Sequence, residues 1–228
     1  MLDCNDGSGC GGSHLDVAKL LHSHRTEGCP TRALGLIAAN GHLDMVKWLS
    51  RHQSEGGTEA AMDSAASEGH LEVLKWLYVH KSKRCTTKAM DGAARNGHFA
   101  VVKWLHNHTN ASCTRKAMDD AAAHGHLKTV KWLHPNRTEG CTTAAMNDAV
   151  SNGKLKVVKW LHHNRTEGCT SATMDHAPSD GDFDRVLFLH SKSTEGCTEE
   201  AVDWTRKFGL YSFMRESSFD RPSDNIYD

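Results

Sequence analysis

Apolar residues recur in two short registers along this chain. In the stretch from Cys113 to Gly140, Met118, Ala121 and Ala122 stand at i, i+3 and i+4, one apolar stripe on a helix over Ala117 to His124. Leu127, Val130 and Leu133 then mark one face of a second helix over Leu127 to His134, with Trp132 on its flank. Gly125 separates the two, and Thr114 or the residue after it can supply an N-cap oxygen. The polar segment from Asn136 to Cys141 carries Gly140 and reads as a turn. Neither helix is long enough to be stable alone, so each must bury its apolar face on a neighbour.

The unit repeats every 28 residues. Trp48, Trp76, Trp104, Trp132 and Trp160 keep that step, and so do Cys85, Cys113, Cys141, Cys169 and Cys197, with Cys29 one doubled interval earlier and Gly57 in the one missing place. A fixed period of this length is the signature of a stacked architecture. The expected fold is all-α, a curved solenoid of helix-turn-helix repeats. The first helices are lined with alanine and can approach closely, which puts them on the inner side of the curve. The tryptophans of the second helices are the largest expected burial between repeats, at ~150–250 Å² each and worth up to roughly 4–6 kcal/mol.

The run from Ala93 to Leu105, echoed in Ala121–Leu133 and Ala149–Leu161, has the form AAxxGHLxVVKWL with small variations. It resembles the second half of an ankyrin repeat, and the resemblance extends from about Ser13 to Phe208. Two features depart from that family. Its repeats usually run to about 33 residues, and its Thr-Pro-Leu-His motif is absent. The missing length implies shortened or absent β-hairpin fingers.

Three regions are expected. Residues 1–12 form a Gly-rich segment and an incomplete first repeat, residues 13–208 the array, and residues 209–228 a degenerate C-terminal cap with a polar tail. A capping repeat is expected at each end of such an array; near the N-terminus none is read, so either the Gly-rich segment folds over the edge or the chain is part of a longer array, the second being favoured.

Composition narrows the function. Lys and Arg number 27 against 28 Asp and Glu, which removes the simplest electrostatic case for nucleic acid or an anionic membrane. No apolar stretch approaches membrane-spanning length, and the N-terminus has neither the basic nor the apolar segment of a signal peptide. Equivalent cysteines one repeat apart sit roughly 8–10 Å from each other, too far for a disulfide. Reduced thiols imply a cytoplasmic or nuclear protein. No nucleotide-binding, hydrolase or metalloprotease motif occurs. No cofactor or metal is expected: zinc needs its ligands about 2 Å from one ion, and histidines one repeat apart (His42, His70, His98, His126) cannot converge. Lys47, Lys75, Lys103, Lys131 and Lys159 are expected to form a solvated outer face.

Stacking turns each repeat position into a column. Asp63, Asp91, Asp119, Asn147, Asp175 and Asp203 form the most regular polar one. An acidic binding stripe and a structural ladder are both possible readings, and the uncharged Asn147 favours the ladder. Four columns on one face of the first helix refuse to repeat. They supply the candidate partner-binding residues: Arg32, Lys88 and Lys116; Leu36, Asp120, Asp148 and His176; Arg95; and Glu68, Asn96, His124 and Asn152. Variation is permitted there because the fold does not use that face, so binding is free to use it, although drift of an unused surface gives the same pattern. By analogy of fold, the resemblance implies a non-enzymatic, monomeric adaptor that holds a protein or peptide partner on the concave face of the first helices. The alternative is the substrate-recognition part of a larger ubiquitin-ligase or kinase assembly.

Overall fold

The computed structural model describes residues 31–52, 58–81, 84–168 and 170. Among them are ten helices and no strand. First and second helices alternate: α1 Thr31–Ala39, α2 Leu43–His52, α3 Thr58–Ser67, α4 Leu71–His80, α5 Thr87–Arg95, α6 Phe99–His108, α7 Lys116–Ala123, α8 Leu127–Asn136, α9 Thr143–Ser151 and α10 Leu155–Asn164. The fold is therefore an all-helical repeat array, without the hairpin fingers of a full-length repeat in the described residues. The expected N-terminal segment and C-terminal cap lie outside those residues.

Local chemistry sets the helix ends. Thr86 Oγ1 accepts from the Lys88 backbone N–H at 3.1 Å and Thr142 Oγ1 from that of Ala144 at 3.1 Å, capping α5 and α9. At the other end of α5, Gly97 takes φ +76°, its N–H donates to Ala94 O, and the His98 N–H donates to Ala93 O. These two bonds satisfy carbonyls that the helix end would otherwise leave open. The same pair of bonds closes α1, α3, α7 and α9.

The described residues form two compact units. One takes in those up to 121 together with 126–140, and the other 122–125 together with those from 141 on. In the first unit α1 lies on α3 and α3 on α5, backbone close to backbone. A Cβ at Gly92 of α5 would run into the Ser67 side chain and come within 3.2 Å of its Cα. The second helices, α2 beside α4 and α6 beside α8, meet less intimately. The core between the layers is built from Met62, Met90 and Met118, the alanines beside them, and Val73, Leu74, Leu77, Val101, Val102 and Leu105. In the second unit α9 and α10 lie together around Met146, Val150, Val157, Val158 and Leu161.

Two packing details differ from the sequence pattern. In α8 the inward residues are Thr129, Val130 and Leu133, whereas Leu127, the first residue of the helix, is only half-buried. The tryptophans are half-buried too, because each precedes a fully buried leucine and is rotated about 100° from the inward direction. Met and Leu side chains carry the interior, and the indoles seal its outer seam.

Candidate partner-binding face

The candidate residues within the described part lie on the first helices or directly after their C-terminal ends. In the first unit, Leu36 of α1 is half-buried and Glu68, just after α3, is exposed. Lys88, Arg95 and Asn96, on α5 and its C-cap, and Lys116, which opens α7, are exposed, while Asp120 is half-buried. Arg32 belongs to the first turn of α1. In the second unit His124, Asp148 and Asn152 are exposed. His176 lies outside the described residues. Adjacent first helices thus gather Leu36, Glu68, Lys88 and Arg95 on one layer. Among the described residues no ion pair engages Glu68, Lys88, Arg95 or Lys116.

The fold does use part of this face, contrary to the sequence pattern. The Asn96 side-chain amide donates to Ser67 O at 2.8 Å, and that of Asn152 to Ala123 O at 3.0 Å. Each amide spans from the end of one first helix to the end of the preceding one. An open helix-end carbonyl needs a donor, which is why asparagine recurs in that column.

The aspartate column has a defined geometry. Asp63 Oδ1 and Oδ2 accept from Thr86 N–H at 2.8 Å and Thr86 Oγ1–H at 2.6 Å. Asp91 accepts in the same way from Thr114, at 2.9 and 2.8 Å. Asn147 Oδ1 accepts from Thr170 N–H at 3.0 Å, with one oxygen where the carboxylates use two. Each side chain thereby fixes the start of the following repeat. Asp119 is buried, and Asp175 and Asp203 are outside the described residues.

The tryptophan column follows the second helices. Trp48, Trp76 and Trp104 each stack on a histidine four residues later, at centroid separations of 4.5, 4.6 and 4.9 Å. Tyr78 meets Trp104 edge-on at 5.3 Å, and Phe99 and His106 meet Trp132 at 6.2 and 5.0 Å. Trp160 accepts at its backbone carbonyl from Asn164.

A further set of contacts went unread in the sequence. Arg137, in the loop after α8, donates to Ala111 O at 2.6 Å and reaches Met90 Sδ at 2.9 Å. Glu139 accepts from Cys113 N–H at 3.4 Å. Burial, and then the Glu139 charge, push the Cys113 thiol up to about 12. Burial alone would raise Glu139, but donors from its own backbone and from Cys113 hold its carboxyl below the usual range. In the second unit Arg165 bonds the Glu167 carboxylate two residues on. The recurrence of Arg-Thr-Glu-Gly-Cys at Arg25, Arg137 and Arg165 was the available signal. A thiol so strongly protonated is a packing group and a weak donor, unsuited to nucleophilic attack.

Among the described residues no three His, Cys, Asp or Glu side chains are arranged to hold a metal, and no helix is long and apolar enough to cross a membrane. A family profile for ankyrin repeats matches the sequence three times, over residues 9–89, 65–142 and 90–175, well over half of the chain. The chain belongs to the ankyrin repeat family. No curated protein matches it. Ankyrin repeats are in general modules of protein–protein interaction and typically non-enzymatic, and a protein partner is what the family implies for this chain.

Proposed function

We propose that this ankyrin repeat protein is a non-enzymatic adaptor that holds a protein or peptide partner on the face formed by its first helices. The observation that carries the reading is the contrast between neighbouring columns. Alanine and methionine repeat faithfully inside α3, α5, α7 and α9, while the exposed positions beside them change from Glu68 to Asn96 to His124, and from Ala60 to Lys88 to Lys116. Lys88, Arg95 and Lys116 are exposed and form no ion pair among the described residues, which suits them to contact a partner. Within the first unit, the close approach of α1, α3 and α5, beside more loosely spaced second helices, favours curvature with the first helices inside. Reduced thiols at Cys85, Cys113 and Cys141 suit a reducing compartment, cytoplasm or nucleus.

The test is affinity capture of a partner from native lysate, comparing the wild type with Lys88→Glu/Arg95→Glu/Lys116→Glu. Capture should fall while helical content stays unchanged. Undiminished capture of the same partner would place the interface elsewhere.

A further inference from the structure

Electrical balance over the whole chain conceals a change of sign along the second helices of the first unit. In α2, Lys47 lies 3.8 Å from Asp44, and in α4, Lys75 lies 2.8 Å from Glu72; each lysine has an acid three residues before it. One repeat further on, that acidic position is Ala100 in α6, and after that it is Lys128 in α8. Neither α6 (FAVVKWLHNH) nor α8 (LKTVKWLHPN) contains an Asp or Glu. Lys103, Lys128 and Lys131 are all exposed, and among the described residues none has an ion pair. The Lys103 and Lys128 ammonium groups sit beside the same ring, 5.7 and 4.5 Å from the centroid of Phe99. Phe99 itself stands where α2, α4 and α8 have leucine. Like charges at i, i+3 oppose helix stability, so the Lys128–Lys131 pair works against the fold rather than for it.

We propose that the outer face of α6 and α8 is a second interaction surface, one that takes an acidic, extended polypeptide segment. An anion seated between Lys103, Lys128 and Lys131 supplies the charge that Asp44 and Glu72 supply in the earlier repeats. Three observations select a polypeptide over other polyanions. Trp104 is covered by His108 and Tyr78, and Trp132 is met by Phe99 and His106, so these indoles offer poor platforms for stacked bases. Neither helix exposes a large apolar side chain for insertion into lipid; among the described residues only Val79, on α4, is so exposed. Adjacent helices lie about 8–10 Å apart, which three residues of a polyproline-II-like chain span at ~3.1 Å each; every third side chain shares a face in that conformation, so carboxylates at that spacing keep step with the lysines. This surface is separate from the first-helix face and does not depend on it.

The experiment is fluorescence anisotropy of a fluorescein-labelled oligoglutamate peptide titrated with the full chain. Binding should weaken as salt rises, and Lys103→Gln/Lys128→Gln/Lys131→Gln should weaken it about tenfold or more. Ala100→Glu/Lys128→Glu, which restores the acidic column of α2 and α4, should abolish binding with an unchanged circular dichroism spectrum. Lys88→Glu/Arg95→Glu/Lys116→Glu should leave it intact. The proposal is overturned if oligoglutamate fails to bind, or if either outer-face variant binds it normally. It is equally overturned if the inner-face variant loses binding as fully, or if oligothymidylate or phosphatidylserine vesicles bind as well as the peptide.

Discussion

The imidazole of His126 lies on the backbone of Gly97, one repeat earlier, so that a Cβ at Gly97 would meet its Nδ1 at 2.5 Å. His126 is the N-cap of α8 but makes no side-chain capping bond; its ring closes the gap between two turns instead. Gly97 is thus held by two independent demands, a positive φ and the ring above it. Gly97→Ala should cost about 1–3 kcal/mol, from backbone strain and steric conflict together. In a His126→Ala background only the strain remains, and the same change should cost about 1 kcal/mol. Urea denaturation of the four proteins in this cycle measures the coupling directly. Equal costs in the two backgrounds would mean that the ring does not rest on the glycine.

Asp91 holds the first residues of the next repeat through both carboxylate oxygens. Asp91→Ala leaves the Thr114 N–H without its acceptor and should cost about 1–3 kcal/mol. Asp91→Asn keeps one acceptor, the arrangement already present at Asn147, and should cost less than about 1 kcal/mol. Thermal denaturation of the two variants separates these outcomes. Equal losses would indicate that the charge, rather than the pair of bonds, ties the repeats together.

Neighbouring side chains on α6 rank in an unexpected order. Leu105 is fully buried, whereas Trp104 is half-buried, with a stacked histidine on it and a tyrosine edge against it. Leu105→Ala should cost about 3–4 kcal/mol through lost contact and the cavity left behind. Trp104→Ala should cost about 2–3 kcal/mol despite the larger side chain, because much of the lost volume refills with water. Chemical denaturation that found Trp104→Ala clearly the costlier change would return the indole to the interior.

The helix pairs and the family were legible because both rest on local periodicity: Met118, Ala121 and Ala122 declare one face, Gly125 a stop, and the interval between tryptophans the repeat. Where the second helix points was less so. The seven-residue window Leu127 to Leu133 contains Leu127, Val130, Trp132 and Leu133, and hydrophobicity alone does not say that Thr129 goes inward while the indole stays at the seam. Contacts across repeats were harder still. Asn96 reads as an ordinary polar variant until its amide is seen on Ser67 O, and Arg137 as a loop cation until it reaches Ala111 and Met90. On the candidate face the exposed positions were recognisable from their variation, because a surface the core does not constrain is free to change. Which of them a partner uses is not written in that variation, since drift leaves the same trace.

Cys113 and Glu139 form a pair whose two pKa displacements act at opposite ends of the pH scale. The thiol, raised from 9.0 to about 12, favours the folded state fully below 9 and loses that contribution as pH climbs towards 12. The Glu139 carboxyl is lowered from 4.5, so its contribution is present above that value and fades as pH falls through the depressed one. Glu139→Gln should therefore be less stable than the wild type near neutrality, and the difference should close in acid below about pH 4. The same substitution removes the negative charge that opposes ionisation of Cys113. At pH 8 the wild-type thiol should react with iodoacetamide about a thousandfold more slowly than an unperturbed cysteine, following its thiolate fraction. Mass spectrometry of the peptide containing Cys113 should show faster labelling in Glu139→Gln. Labelling of the wild type at the rate of an unfolded cysteine would mean that this thiol is neither buried nor beside the carboxylate.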